Sequence, residues 1–236
     1  LLYGLVQTVL LSLTVVPLGL AGGVLLALLS TARSRWVRWP LVAWVDVFRA
    51  LPPLVLLVFV YAGLPFAGLE VSPWRAVAIG FFLNTGAYYG EILRAGIESV
   101  PSGQMEAARS TGLSRGQAMA WVVLPQAARN VLPDLISNTL EVVKLTSIAS
   151  VVALPELLFQ ARQAQSVTFN ATPIVAAAAA YFVLLWPVVR LLELTGSAGF
   201  ARPVIRHPLP GKVGDLDVMH EPAPTPLPLH GPYLAD

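Results

Sequence analysis

Residues 106–125 read EAARSTGLSRGQAMAWVVLP, a polar stretch that stands between apolar segments of membrane-spanning length. The run begins with good helix formers, and Ser102, a few residues ahead of them, is the predicted helix cap. Gly112 is expected to end or bend this first short helix, and Ser114 to cap a second one. Pro125 cannot continue the hydrogen-bond ladder of a helix, so we predict that the chain turns back toward the membrane there.

Small side chains suit this stretch to contact with another protein. Ala107, Ala108 and Gly112 carry almost no bulk, so a second surface can approach the backbone closely. An amphipathic helix at the membrane interface is the alternative interpretation, but it would not require so many fixed spacings. The residues that hold the spacings are Gly103, Glu106, Ala107, Ala108, Gly112, Leu124 and Pro125.

Composition indicates a membrane protein without catalytic chemistry. Hydrophobic residues make up 56% of the 236 residues, charged residues 12%, and the mean hydropathy is +0.70; soluble domains average about 25% charged residues. There is no cysteine, which excludes disulfides and thiolate metal sites. No nucleotide-binding GxxxxGK[ST] loop is present. All histidines lie near the C-terminus, so we expect no catalytic residue and no metal site in the membrane body; they are His207, His220 and His230.

Five apolar segments predict an all-α, polytopic membrane protein with about five transmembrane helices. They cover residues 1–29, 41–62, 74–97, 131–154 and 172–194. The expected organisation is a transmembrane domain over residues 1–200, with a polar loop at about 98–130, followed by a proline-rich, disordered tail at 201–236. Pro17 and the Gly22-Gly23 pair are expected to bend the first segment.

Lysine and arginine predict the orientation. Eleven of the fifteen fall on one side of the predicted membrane, namely Arg33, Arg35, Arg38, Arg94, Arg109, Arg115, Arg129, Arg190, Arg202, Arg206 and Lys212. The opposite side has only Arg75 and Arg162, whereas Arg49 and Lys144 lie within predicted spans. By the positive-inside rule the 98–130 loop and the C-terminus are cytoplasmic, and the N-terminus is outside.

Further motifs surround the loop. The chain reads FRALP at 48–52, NTGAY at 84–88, EILRAGI at 91–97 and KLTS at 144–147. Together with 103–125, these motifs resemble the permease subunits of bacterial ABC transporters, in the branch that takes up polar amino acids such as histidine, glutamine, glutamate and arginine. That family more often has Arg-Gly-Thr-Pro at 49–52 and Lys-Asp-Thr-Ser at 144–147, so the substrate is less defined than the branch.

The resemblance implies the fold of a type I ABC importer permease in the bacterial cytoplasmic membrane, where the short helix after residue 102 is the coupling helix. It implies that ATP and Mg²⁺ bind a partner ATPase and that this chain is not an enzyme and holds no cofactor. The implied partners are two ATPase subunits, a second permease subunit of the same or a homologous chain, an extracytoplasmic amino-acid-binding protein and membrane lipid, with no nucleic acid.

Polar residues in the fourth apolar segment mark a candidate pathway. Ser137, Glu141 and Lys144 share one helical stripe, and a charge at mid-membrane costs roughly 2.5–3.5 kcal/mol. The pair can contact the two charges of a zwitterionic amino acid, or it can be an internal ion pair. Arg49 can bind a substrate carboxylate or pair with Asp46, three residues earlier.

Two further interpretations stay open. Glu91 and Arg94, three residues apart, are expected to form a structural pair. The same architecture can carry another small solute, and an ion-coupled secondary transporter could use the charges of the fourth segment. The latter class would have no use for the 106–125 pattern.

Overall fold

The computed structural model describes residues 1–31 and 34–199, with side chains described to residue 190, and this part of the chain is helical with no β-strand. The predicted tail at 201–236, with its histidines and basic residues, lies outside the described residues, as does Arg33. The helices are α1 (Leu2–Ser30), α2 (Arg35–Ala50), α3 (Pro53–Val58), α4 (Pro73–Glu98), α5 (Ser102–Ser110), α6 (Arg115–Ala118), α7 (Leu124–Leu145), α8 (Leu157–Thr168) and α9 (Thr172–Gly199).

Membrane-spanning length and apolarity are met by fewer helices than predicted. Within the described residues, three helices qualify, Leu2–Ser30, Arg115–Val152 and Thr172–Arg190, and a bent pair of helices raises the number to four. The 26 residues of α4 are long enough to span, at about 1.5 Å per residue, but it is not among them. α4 carries polar and charged side chains, which lower its apolarity. The predicted number of about five spans is reached only when α4 and the bent pair are each counted as a span.

The bent pair corrects the predicted second span at 41–62. The chain breaks between α2 and α3, and the two helical pieces, Arg35–Ala50 and Pro53–Ala67, meet at 101°. Leu51 has an extended ψ of 129° because the following proline disfavours the helical conformation. Two consecutive prolines, Pro52 and Pro53, then remove two backbone donors, so the helix cannot continue through them.

The contact between α1 and α4 depends on small residues. α1 runs unbroken through Pro17 and through Gly22 and Gly23, both of which are buried. A Cβ at Gly23 would lie 2.8 Å from the backbone nitrogen of Gly90 on α4. The glycines therefore allow the two backbones to approach closely, which is the role that small residues have in packed membrane helices.

The main hydrophobic core lies where α1, α3, α4 and α7 meet. Its largest fully buried members include Leu11, Val15, Leu57 and Val77. Tyr89 joins α4 to α7 through a 2.7 Å hydrogen bond between its hydroxyl and that of Thr139. The core therefore fixes α7, which carries the predicted pathway residues, against α4.

The helix that contains α7 begins earlier than predicted and passes through Pro125. A single helical run extends over Arg115–Val152, so the prediction that the helix cannot continue at Pro125 is wrong. Pro125 lies in the first turn of α7, directly after a π-helical turn at Met119–Val123. In that turn the backbone hydrogen bonds are of the wider i→i+5 kind. The turn lies just before the proline, which has no backbone N–H to donate.

Candidate functional site

The short helix α5 and the turn after it form the predicted loop. The predicted cap is wrong, because Pro101 precedes the helix, Ser102 is its first residue, and no side chain caps it. The predicted end is confirmed, since α5 stops at Ser110 and Gly112 adopts a left-handed φ of +93°. A residue with a Cβ would be strained in that conformation, which explains the glycine.

The second predicted cap is also confirmed. The backbone N–H of Gln117 donates to the Ser114 hydroxyl at 3.3 Å, and the backbone N–H of Ser114 donates to the Gln117 side-chain oxygen at 2.9 Å. These reciprocal bonds form a capping box at the start of α6. The α6 end of the turn between α5 and α6 is therefore held by local bonds.

The loop presents a smooth surface to solvent. Gly103, Glu106, Ala107 and Gly112 are exposed, and a Cβ at either glycine would meet no atom within 4 Å. Ala108 differs from the expectation, because it is buried and faces the protein. The open surface therefore consists of the other small residues, with Ala107 on α5 as its exposed alanine.

A small core anchors this loop to two long helices. Val100, Val123 and Ala127 are buried together, and Met105 of α5 packs against them. The Asn130 side chain donates to the Ser99 hydroxyl at 2.9 Å. Leu124 and Pro125 lie at the start of α7, half-buried and exposed respectively. This core therefore joins α5 to the end of α4 and to the start of α7.

A chain of alternating charges links α2 to α4. The expected Glu91–Arg94 pair is confirmed, with N–O distances of 2.6 and 2.9 Å, and Arg94 also reaches Glu98 at 2.6 Å. Arg49 pairs with Glu91 at 3.7 Å and lies 5.4 Å from the ring centre of Tyr88. The suggested pairing of Arg49 with Asp46 is therefore not the ion pair that the structure contains.

The polar stripe on α7 exists as predicted. The Lys144 ammonium donates to the Glu141 carboxylate at 2.5 Å, and their side chains are 51% and 61% exposed. Ser137, on the same stripe, is exposed too. Arg49 is not a partner of these residues, because its guanidinium forms an ion pair with Glu91 of α4. An exposed ion pair on a membrane helix requires polar surroundings, because its charges are costly in hydrocarbon.

Glu156 is a buried carboxylate that sequence reasoning missed. It is fully buried and caps α8, accepting bonds from the backbone N–H groups of Leu158 and Phe159 at 2.8 and 2.6 Å. The Tyr181 hydroxyl of α9 donates to it at 3.1 Å. Burial raises the pKa of this carboxyl above its ordinary value. The signal was an acidic residue that directly precedes a helix, which is a common capping position.

The chain is similar in sequence to a known protein family and to several of its members. The sequence model of a family described as "Binding-protein-dependent transport system inner membrane component" matches residues 19–195. The "Probable amino-acid ABC transporter permease protein YckA" of Bacillus subtilis is 39% identical over 159 residues, which are 67% of this chain and 70% of that protein. The "Arginine transport system permease protein ArtQ" of Bacillus subtilis is 33% identical over 183 residues, 77% of this chain and 82% of that protein.

A solved structure has the same fold. A chain in the crystal structure of an amino acid ABC transporter with histidines superposes with a TM-score of 0.78 and 34% sequence identity. The match covers 84% of this chain and 92% of the other.

Proposed function

We propose a function from the premise that this chain belongs to the family of inner-membrane components of binding-protein-dependent transport systems, as the match over residues 19–195 shows. The chain is the permease subunit through which an amino acid enters the cell. The amino-acid substrate is supported by the names of its relatives and by the solved transporter that it resembles. Another small solute and ion-coupled transport are the alternatives, and neither is favoured by these relatives.

The observation that carries the proposal is the loop made by α5 and α6. Its outer surface is open at Ala107 and Gly112, whereas its inner side is packed on α4 and α7. We infer that an ATPase subunit receives α5 in a groove, so that Gly103, Glu106, Ala107 and Gly112 meet the partner. When the ATPase closes on ATP, the anchored loop moves α4 and α7 and opens the path alternately to either side.

The partners follow from this role. ATP and Mg²⁺ bind the ATPase, and this chain supplies no covalent chemistry or cofactor. Two permease subunits, identical or homologous, enclose the path above two ATPase subunits, and an extracytoplasmic binding protein delivers the substrate.

The orientation is part of the same proposal. The loop and the C-terminus face the cytoplasm of a bacterial cell, and the N-terminus lies outside. Since the chain has no native cysteine, a cysteine at Ser114 is expected to react with thiol reagents from the cytoplasmic side only, and one at Glu70 from outside only. The reverse pattern would overturn the orientation.

Substitution of Ala107 tests the ATPase docking. Ala107→Trp adds bulk on the open face of α5 without touching the inner core, so the variant is expected to insert and fold but to lose capture of the co-expressed ATPase. Ala67→Trp is the matched control, because Ala67 is an exposed alanine remote from the loop in sequence. Full capture and full ATP hydrolysis with Ala107→Trp would refute the docking surface.

We further propose that Ser137, Glu141 and Lys144 line the substrate path, with Arg49 at a second position beside Glu91. The exposed Glu141–Lys144 pair supports this, since a watery cavity is the environment in which such a pair is tolerated. Each charge can exchange its partner for the opposite charge of a zwitterionic amino acid.

A double-variant comparison tests the path. Lys144→Met is expected to abolish uptake while the complex still purifies with basal ATP hydrolysis. The double variant Glu141→Gln with Lys144→Met should be stable and inactive. If uptake recovers in the double variant, the pair is only structural and the substrate role is wrong.

A further inference from the structure

The first turns of α2 form an exposed aromatic surface. Within α2 no residue is buried, and Trp36 and Trp39 are 91% and 71% exposed. An indole has a large apolar body and one polar N–H group, so it is most stable at the boundary between lipid headgroups and acyl chains. Two such side chains within four residues place this end of α2 at a membrane interface.

Two arginines accompany these tryptophans. Arg35 and Arg38 are three residues apart, so they lie on the same side of the helix. Among the side chains that the structure describes, at 1–31 and 34–190, neither forms an ion pair, whereas Arg49 and Arg94 both do. A guanidinium that lacks a protein carboxylate retains its forked donors for an external anion, and phosphate oxygens match that fork.

A groove brings the two kinds of side chain together. It has a volume of about 430 Å³ and is lined by Arg35, Arg38, Trp39, Val42, Ala43 and Asp46. This volume falls within the roughly 300–1,000 Å³ of small-molecule sites. Asp46, the one carboxylate among the described lining residues, is eight residues beyond Arg38, or about 12 Å along the helix. The anion-binding end of the groove is therefore the end that carries Trp39, and Trp36 lies on the preceding turn of α2.

We propose that this groove binds the headgroup of an anionic phospholipid, with Arg35 and Arg38 contacting the phosphate and the two indoles lying beside the acyl chains. Charge complementarity favours a negative ligand, and the tryptophans favour one with an apolar part. An acidic segment of a soluble protein would satisfy the arginines but would leave both indoles in water. Such a site would tie transporter activity to the lipid composition of the membrane.

Fluorescence quenching by brominated lipids tests the proposal. The complete transporter, with its partner subunits, is reconstituted in phosphatidylcholine vesicles that contain a minor fraction of brominated phosphatidylglycerol or brominated phosphatidylcholine. The part of the tryptophan fluorescence quenching that is lost in the double variant Trp36→Phe with Trp39→Phe comes from this groove. We expect the phosphatidylglycerol to quench it more strongly, because it is enriched at the site.

Removal of the arginines then measures the preference. A basic side chain near a membrane surface changes the binding of anionic lipid by about fivefold, so Arg35→Gln with Arg38→Gln should lower the preference for phosphatidylglycerol by about twenty-five-fold. Arg75→Gln is the control, because Arg75 is an exposed arginine on another helix, and it should leave the preference unchanged. Circular dichroism confirms that the variants keep their helices.

Three results would overturn the proposal. Equal quenching by the two lipids would mean that the groove does not select a charged headgroup. Relief of quenching by inorganic phosphate would indicate a site for free anions. Loss of a partner subunit from the double arginine variant would assign the groove to a protein contact.

Discussion

Adding one methyl group at Gly23 should loosen the contact between α1 and α4. The new Cβ would overlap the Cβ of Tyr89 and would lie 2.8 Å from the backbone nitrogen of Gly90, closer than real Cβ atoms approach. Backbone atoms cannot rotate away, so the two helices must separate. Overpacking of this kind costs about 1–3 kcal/mol.

Gly86→Ala is the matched control for Gly23→Ala. Gly86 is buried in α4 at the same helix contact, but a Cβ there would lie 3.7 Å from the nearest atom, the carbonyl oxygen of Gly19. Both substitutions gain the same helix propensity, so the difference between the variants measures overpacking alone.

Differential scanning fluorimetry of the purified transporter provides the comparison. At about 2–4 °C per kcal/mol for a chain of this size, the Tm of Gly23→Ala should lie about 2–12 °C below that of Gly86→Ala. Equal Tm values would refute the close approach of α1 and α4 that the structure contains.

Three further predictions concern the loop and the buried carboxylate. Ser114→Ala removes the capping box and should destabilise the α5–α6 turn by about 1 kcal/mol. Amide hydrogen exchange in the turn should therefore be faster than in the control Ser110→Ala, where no cap is lost. Gly112→Ala places a Cβ in the left-handed region and should cost about 1–2 kcal/mol, whereas Gly116→Ala, inside α6 and without neighbours within 4 Å, should not lower Tm. Because the folded chain raises the pKa of Glu156 above about 4.5, its stabilising contribution is present below that pH and is lost as pH rises through the folded value, so Tm should fall with pH there. Glu156→Gln should remove this part of the pH dependence, and an unchanged slope would contradict the assignment.

The parts of the site that depend on neighbouring residues were predictable from the sequence. The end of α5 at Gly112 and the capping box at Ser114 both result from bonds and torsions within a few residues. The Glu91–Arg94 and Glu141–Lys144 pairs are also local, since residues three apart on a helix are neighbours.

Features that depend on distant packing were not predictable in the same way. Arg49 pairs with Glu91 on another helix rather than with its own neighbour, and Ala108 is buried in a helix that packs on the hydrophobic cluster of Val100, Val123 and Ala127. The two prolines after Leu51 indicate the break, but the apolar character of residues 41–62 favours the prediction of one continuous span. A long π turn before Pro125 has no clear sequence signature, so the continuous helix there was missed.

Uptake by the reconstituted transporter tests the central claim most directly. The permease, its co-purified ATPase and the binding protein are placed in vesicles, and entry of labelled amino acids is followed with ATP or with a non-hydrolysable analogue, in the presence of ionophores that collapse proton and sodium gradients. Entry that requires hydrolysable ATP and persists with ionophores is the predicted result. Entry that follows an ion gradient without ATP would contradict the account.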